Sequence, residues 1–143
     1  MKKEIVSNSA SFTSQIGERL GRAINTKTVI AFKGGLGAGK TCFTRGLARG
    51  LGFKGSVTSP TFAIINEYSG GRLNLYHFDM YRVTGWEDLY STGYFDYLDA
   101  GGVIAAEWSE NITSALPQNT IYVSIEKICD EARKITITGV DLT

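Results

Sequence analysis

The stretch Thr28-Val29-Ile30-Ala31-Phe32-Lys33-Gly34-Gly35-Leu36-Gly37-Ala38-Gly39-Lys40-Thr41 decides the fold. Its first five residues are a short β-branched, apolar run, which reads as a buried strand. Residues 34–41 then fit G-x-x-x-x-G-K-[ST], and a helical pattern opens at Lys40. Strand, glycine-rich loop and helix in that order make a phosphate cradle. Glycines let successive backbone N–H groups turn inward around an anion, and the positive end of the helix points at the same place. In this reading Leu36, Gly37, Ala38, Gly39 and Lys40 hold the phosphates of a nucleoside triphosphate, with Lys40 as a point charge on the β- and γ-oxygens. The Thr41 hydroxyl is a hard oxygen ligand for Mg²⁺. A chance match is the alternative, and the flanking strand and helix weigh against it.

Outward from the loop the patterns continue. Phe12, Ile16, Leu20, Ala23 and Ile24 mark one face of a helix over about 11–25, with Ser9 or Ser11 as its cap. Downstream, Phe43, Leu47 and Leu51 give the loop helix an inner face, and Gly52 ends it. Strands at 63–68 and 72–78, joined by Ser69-Gly70-Gly71, read as a hairpin. Two short helices follow at 86–90 and 94–98, broken by Gly93. Residues 103–106 form a buried strand that ends at Glu107, and 121–126 with 134–138 form an antiparallel pair expected at one edge. The predicted fold is α/β: a single P-loop NTPase-like three-layer domain over 1–143 with a mixed, partly antiparallel sheet.

Composition narrows the function. A formal net charge of +1 is too small for a broad nucleic-acid-binding face. Cys42 and Cys129 form no C-x-x-C pair and read as reduced thiols. With no apolar leader and no run of membrane-spanning length, the chain is expected in the cytoplasm.

Chemistry beside the phosphates needs a carboxylate. Asp79 and Glu107 each close a predicted strand, and ligands of open α/β sheets gather at strand carboxyl ends. Both acids are thus placed to meet Mg²⁺ or a water beside the γ-phosphate; the alternative is a solvated acid at each strand end. Thr58-Ser59-Pro60-Thr61 lies in the connection that often senses the γ-phosphate, or is a plain polar turn. His77, the only histidine, reads as structural rather than catalytic, and Trp108 as either core or a reporter of nucleotide or partner binding. The tyrosines and Phe95 read as core and rim aromatics, because no basic groove accompanies them.

Together these motifs resemble the bacterial TsaE family, also called YjeE. The resemblance rests on the phosphate loop, Ser59-Pro60-Thr61-Phe62, His77-Phe78-Asp79-Met80-Tyr81-Arg82, Glu107-Trp108, Leu116-Pro117 and Arg133. It implies a bacterial cytoplasmic ATPase of weak intrinsic turnover, required for N6-threonylcarbamoyladenosine at tRNA position 37. It implies TsaB and TsaD as partners, with tRNA met through their complex and neither DNA nor membrane involved. It places Thr41 and Glu107 on Mg²⁺, makes Asp79 and Thr61 sense the γ-phosphate or position water, and puts adenine near the N-terminal segment around Ser11 and near Arg133. One departure stands out: the family commonly has an acid after the first loop glycine, where this chain has Gly35. Its expected effect falls on rate or loop stiffness rather than on binding.

Three rivals remain. A GTPase would need an Asn-Lys-x-Asp type segment, and the sequence has none. A small-molecule kinase would need an arginine-bearing lid, and the arginines do not cluster in an insertion. A nucleotide-gated binding module without useful turnover differs from a slow ATPase only in rate.

Overall fold

The computed structural model describes residues 2–33, 39–55, 65–140 and 142. Leu36, Gly37, Ala38 and Thr61, with Ser59, Pro60 and Phe62, lie outside the described residues. Among the described residues one seven-stranded sheet forms the middle layer, in the order β1-β7-β6-β2-β5-β4-β3. Its centre is parallel: β2 (Thr28–Phe32) lies between β6 (Ile121–Lys127) and β5 (Val103–Glu107), and β4 (Leu75–Asp79) follows β5. Both flanks are antiparallel, with β3 (Ile65–Tyr68) on β4, β7 (Arg133–Thr138) on β6 and β1 (Lys2–Ser7) on β7. The α/β fold with a mixed sheet is therefore as read from the sequence.

β2 and β5 are apolar along nearly all their length because both faces are covered. Ile30 and Phe32 face α1 (Ala10–Ala23) and α2 (Lys40–Gly50), joining Ile16, Leu20, Phe43 and Leu47 in one core. Val29, Ile104, Ala106 and Phe78 join the opposite core, covered by α3 (Trp86–Ser91), α4 (Tyr94–Asp99) and a 3₁₀ segment at Ser109–Ala115.

Three expectations change. The pair β6–β7 is not at an edge, because β1 continues the sheet beyond β7. Lys2, Lys3 and Glu4 hid that strand: it is exposed on most of its length, and charge is what an edge strand carries to deter further pairing. The connection from β3 to β4 is also longer than a tight turn, since Tyr68 pairs with Leu75. Arg72, read as strand, instead docks on the helix ends. Its guanidinium donates to the carbonyls of Gly21, Ile24 and Gly50 at 3.0–3.1 Å, at the carboxyl ends of the two helices, where a cation is favoured.

The helix pair α1–α2 approaches backbone to backbone. A Cβ on Gly17 would strike the Phe43 carbonyl, one on Gly46 the Ser14 carbonyl, and one on Gly50 the Glu18 carbonyl. Side chains at these positions would force the helices apart and lift α2 off the sheet. Gly46→Ala should therefore destabilise the protein by about 2–3 kcal/mol, the cost of overpacking a tight contact. Helix propensity alone predicts the opposite sign, a gain of about 1 kcal/mol. Urea denaturation of the two proteins distinguishes them.

Candidate functional site

The register of three strands assembles the site. Ala31 pairs with Ala106, so the chain leaves β2 for the phosphate loop beside the end of β5. Asp79 pairs with Glu107, which brings the two acids to neighbouring positions at the same carboxyl-terminal edge. The Met80 N–H donates to the Glu107 carbonyl at 3.0 Å, and the Asn111 amide donates to the Met80 carbonyl at 2.9 Å. Backbone and side chain thus tie the segments after β4 and β5 together.

Glu107 is 1% exposed. Its Oε2 lies 2.8 Å from Nε2 of the equally buried His77, one strand away. Its other oxygen, Oε1, is buried with no hydrogen-bond partner among the described residues. Among the described residues, one oxygen of this carboxylate is held and the other is not. A buried carboxylate oxygen without a partner is costly, and such an atom at a strand end calls for a ligand. Asp79 is held differently: its Oδ1 accepts from the Tyr81 N–H at 3.0 Å, so its carboxylate is oriented by its own turn.

Lys40 opens α2 and is buried. Burial pushes its pKa down, while the negative charges of Glu107 and Glu110 push it back up. The ammonium therefore shares an electrostatic neighbourhood with both acids. Gly39 precedes it in the left-handed region, φ 91°, which suits the residue that hands the loop to the helix. After Glu107 the backbone turns sharply: Trp108 is the only non-glycine with positive φ among the described residues, at 57°. Its ring packs against Tyr81 with centroids 5.0 Å apart, and this contact helps hold a conformation that L-residues avoid.

On the other side of Gly39 a cavity of about 400 Å³ opens between two distant segments. Ser9, Ala10 and Thr13 form one wall, Gly39 and Cys42 the floor, and Asp130, Glu131 and Arg133 the opposite wall. The first wall is fixed by Ser9, which caps α1 by accepting from the Phe12 N–H, and by the buried Ser7–Thr13 hydroxyl pair at 2.8 Å. Arg133 donates through Nη1 to the carbonyls of Cys129, Asp130 and Ala132, which shapes the second wall.

The family model for "Threonylcarbamoyl adenosine biosynthesis protein TsaE" matches residues 7–135. The chain belongs to the TsaE family. The tRNA threonylcarbamoyladenosine biosynthesis protein TsaE of Treponema pallidum is 42% identical over 132 residues, covering 92% of this chain and 97% of that protein. Its Bacillus subtilis counterpart is 46% identical over 113 residues, covering 78% and 70%. Among solved structures, Bacillus subtilis YdiB superposes with a TM-score of 0.77 at 34% identity, covering 99% of this chain and 87% of that one. The TsaE family is one of tRNA threonylcarbamoyladenosine biosynthesis. Among the described residues no helix is long and apolar enough to cross a membrane.

Within this TsaE-family chain, Lys40, Asp79 and Glu107 lie at one end of the sheet, with Thr41 next to Lys40 on the first turn of α2. Arg133 lies across the cavity, and Ser11 is exposed on the first turn of α1 while its neighbours Ser9, Ala10 and Thr13 form the wall. Leu36, Gly37, Ala38 and Thr61 are outside the described residues. Sequence reasoning missed the His77–Glu107 pair, Glu110 and Asn111. His77 was two residues from Asp79 on a buried strand, so alternation placed it on the same face; nothing in the pattern showed which acid it met. The pair also makes a stability prediction. His77→Leu leaves a buried carboxylate with neither oxygen held by His77 and should cost about 2–3 kcal/mol. Adding Glu107→Leu should recover most of that loss, and a double-mutant cycle by chemical denaturation measures it.

Proposed function

We propose that this chain binds ATP with Mg²⁺ and hydrolyses it slowly, and that this cycle serves threonylcarbamoyladenosine formation on tRNA by acting on the TsaB–TsaD transferase pair. The observation that carries the reading is the state of Glu107: buried, half-held by His77, with one oxygen unpaired among the described residues and the charge of Lys40 nearby. Among the described residues no group of three His, Cys, Asp or Glu side chains could hold a metal by themselves. A Mg²⁺ drawing on one carboxylate, one hydroxyl and phosphate oxygens needs no such group. Mg²⁺ would neutralise charge on the phosphates as the terminal one departs.

The chain's own residues divide the remaining work. Lys40, held partly dehydrated, binds β- and γ-oxygens. Thr41 Oγ1 and Glu107 Oε1 are the metal-facing oxygens. Asp79, oriented by the Tyr81 N–H, positions the attacking water, with Thr61 as a sensor of the γ-phosphate. The nucleoside lies in the cavity between the Ser9–Thr13 wall and Arg133, adjacent to Gly39. The family's place in tRNA modification and the resemblance to TsaE support the transferase partners, and tRNA is met through them.

Lys40→Ala should weaken ATP binding by about 10- to 150-fold, the loss of a charge-assisted contact of about 1.5–3 kcal/mol, as read by calorimetry. Unchanged affinity would overturn the phosphate assignment. The oxygens separate by kinetics. Thr41→Val and Glu107→Gln should lower Mg²⁺-dependent binding and turnover together, whereas Asp79→Asn should lower turnover with ATP still bound. Full turnover in Glu107→Gln would remove Glu107 from the metal.

A further inference from the structure

Helices α3 and α4 are anchored on the sheet by Leu89 and Tyr94, both buried in the core against Phe78 and Ile104. Tyr94 also donates through its hydroxyl to the Ala115 carbonyl at 3.0 Å, and burial pushes its pKa up to about 12. These contacts account for the packing of the helix pair. They leave Trp86 54% and Tyr90 67% exposed. The two rings nevertheless form a layer with Phe95: Trp86 stacks on it at 6.0 Å and 17° between planes, and Tyr90 lies 4.8 Å from it. Phe95 packs against the core, so the layer is fixed from below while the Trp86 and Tyr90 rings remain exposed on it, and Trp and Tyr are the residues that dominate binding energy at interfaces.

The segment that carries this layer holds acids and no bases, with Arg82 just before it and Lys27 beside Asp99 as the nearby cations. Residues 83–106 contain Glu87, Asp88, Asp96 and Asp99 and no lysine or arginine, although the chain as a whole is net positive. All four acids are exposed. Asp88 is occupied in accepting from the Thr84 N–H and hydroxyl; Glu87 and Asp96, each next in sequence to a ring of the layer, form no ion pair among the described residues. Aromatic faces rimmed by carboxylates attract guanidinium and ammonium groups through both ring quadrupole and charge. They repel phosphate, so a nucleic-acid platform, which couples stacking to cations, does not fit. The patch also begins seven residues after Asp79, on the segment that carries Tyr81 to its contact with Trp108.

We infer that the Trp86–Tyr90–Phe95 face is a docking surface for a basic, arginine- or lysine-bearing patch on a partner protein. The inference rests on the functional reading above for the identity of that partner, the TsaB–TsaD pair, and not for the surface itself. The test is titration of purified TsaB–TsaD with the intact chain in the presence of ATP and Mg²⁺, followed by surface plasmon resonance at two salt concentrations. Trp86→Ala/Tyr90→Ala should weaken binding by at least about tenfold while ATP affinity and Tm stay at wild-type values. Glu87→Gln/Asp96→Asn keeps the rings, and it should slow association and flatten its salt dependence. Wild-type binding with no loss in either variant overturns the inference alone. No binding by the wild-type chain overturns both the inference and the choice of partner. Two further results would also overturn it: loss of tRNA binding in the ring variant with protein binding intact, or loss of a wild-type self-association measured by sedimentation.

Discussion

The contact between α1 and α2 sets the position of Lys40 and of the amino end of α2. Four glycines, Gly17 and Gly21 on one helix and Gly46 and Gly50 on the other, remove the side chains that would normally hold two helices 8–10 Å apart. The helices then act as one rigid block on the sheet, fastened at their carboxyl ends by Arg72. The amino end of α2 carries the positive end of its helix dipole, and Lys40 stands on it. A helix free to shift by an ångström would carry Lys40 with it and spoil a geometry that works at hydrogen-bond tolerance.

A second constraint acts from below the loop. Parallel pairing of β2, β5 and β4 puts three strand ends side by side, and their register delivers Asp79 and Glu107 to the same level. Register in a sheet buried on both faces admits no slip, since a shift of one residue would turn Phe78 and Ala106 out of their core. The placement of the acids therefore follows from the hydrophobic pattern of the strands that carry them. What the pattern does not set is the state of each carboxylate. His77 fixes Glu107, and a backbone N–H fixes Asp79.

Most of the fold was legible because its signals are local. Apolar spacing gave α1 and α2, β-branched runs gave β2 and β5, and Gly93 separated α3 from α4. What escaped depends on partners far away in sequence. β1 has too few apolar residues to announce itself and exists because β7 offers it an edge. Arg72 looks like a strand residue until two helix ends meet it. At the site, the residue types and the strand ends were readable, whereas the His77–Glu107 pair, 30 residues apart, required the register. Glu110 escaped because the 3₁₀ segment after Trp108 has no periodic signature over so short a length.

The β1–β7 ladder bears on the order in which the site comes into being. It joins residues 2–7 to residues 133–138, and it holds the two walls of the cavity beside Gly39 in place. During synthesis β1 must wait for β7 before it can pair. Closing so long a loop carries an entropic cost that only the finished sheet offsets. The parallel centre can assemble while translation continues, but the cavity between Ser9 and Arg133 cannot exist until β7 has left the ribosome. A chain that stalls before that strand has α2, Asp79 and Glu107 in place and still lacks the second wall of the cavity.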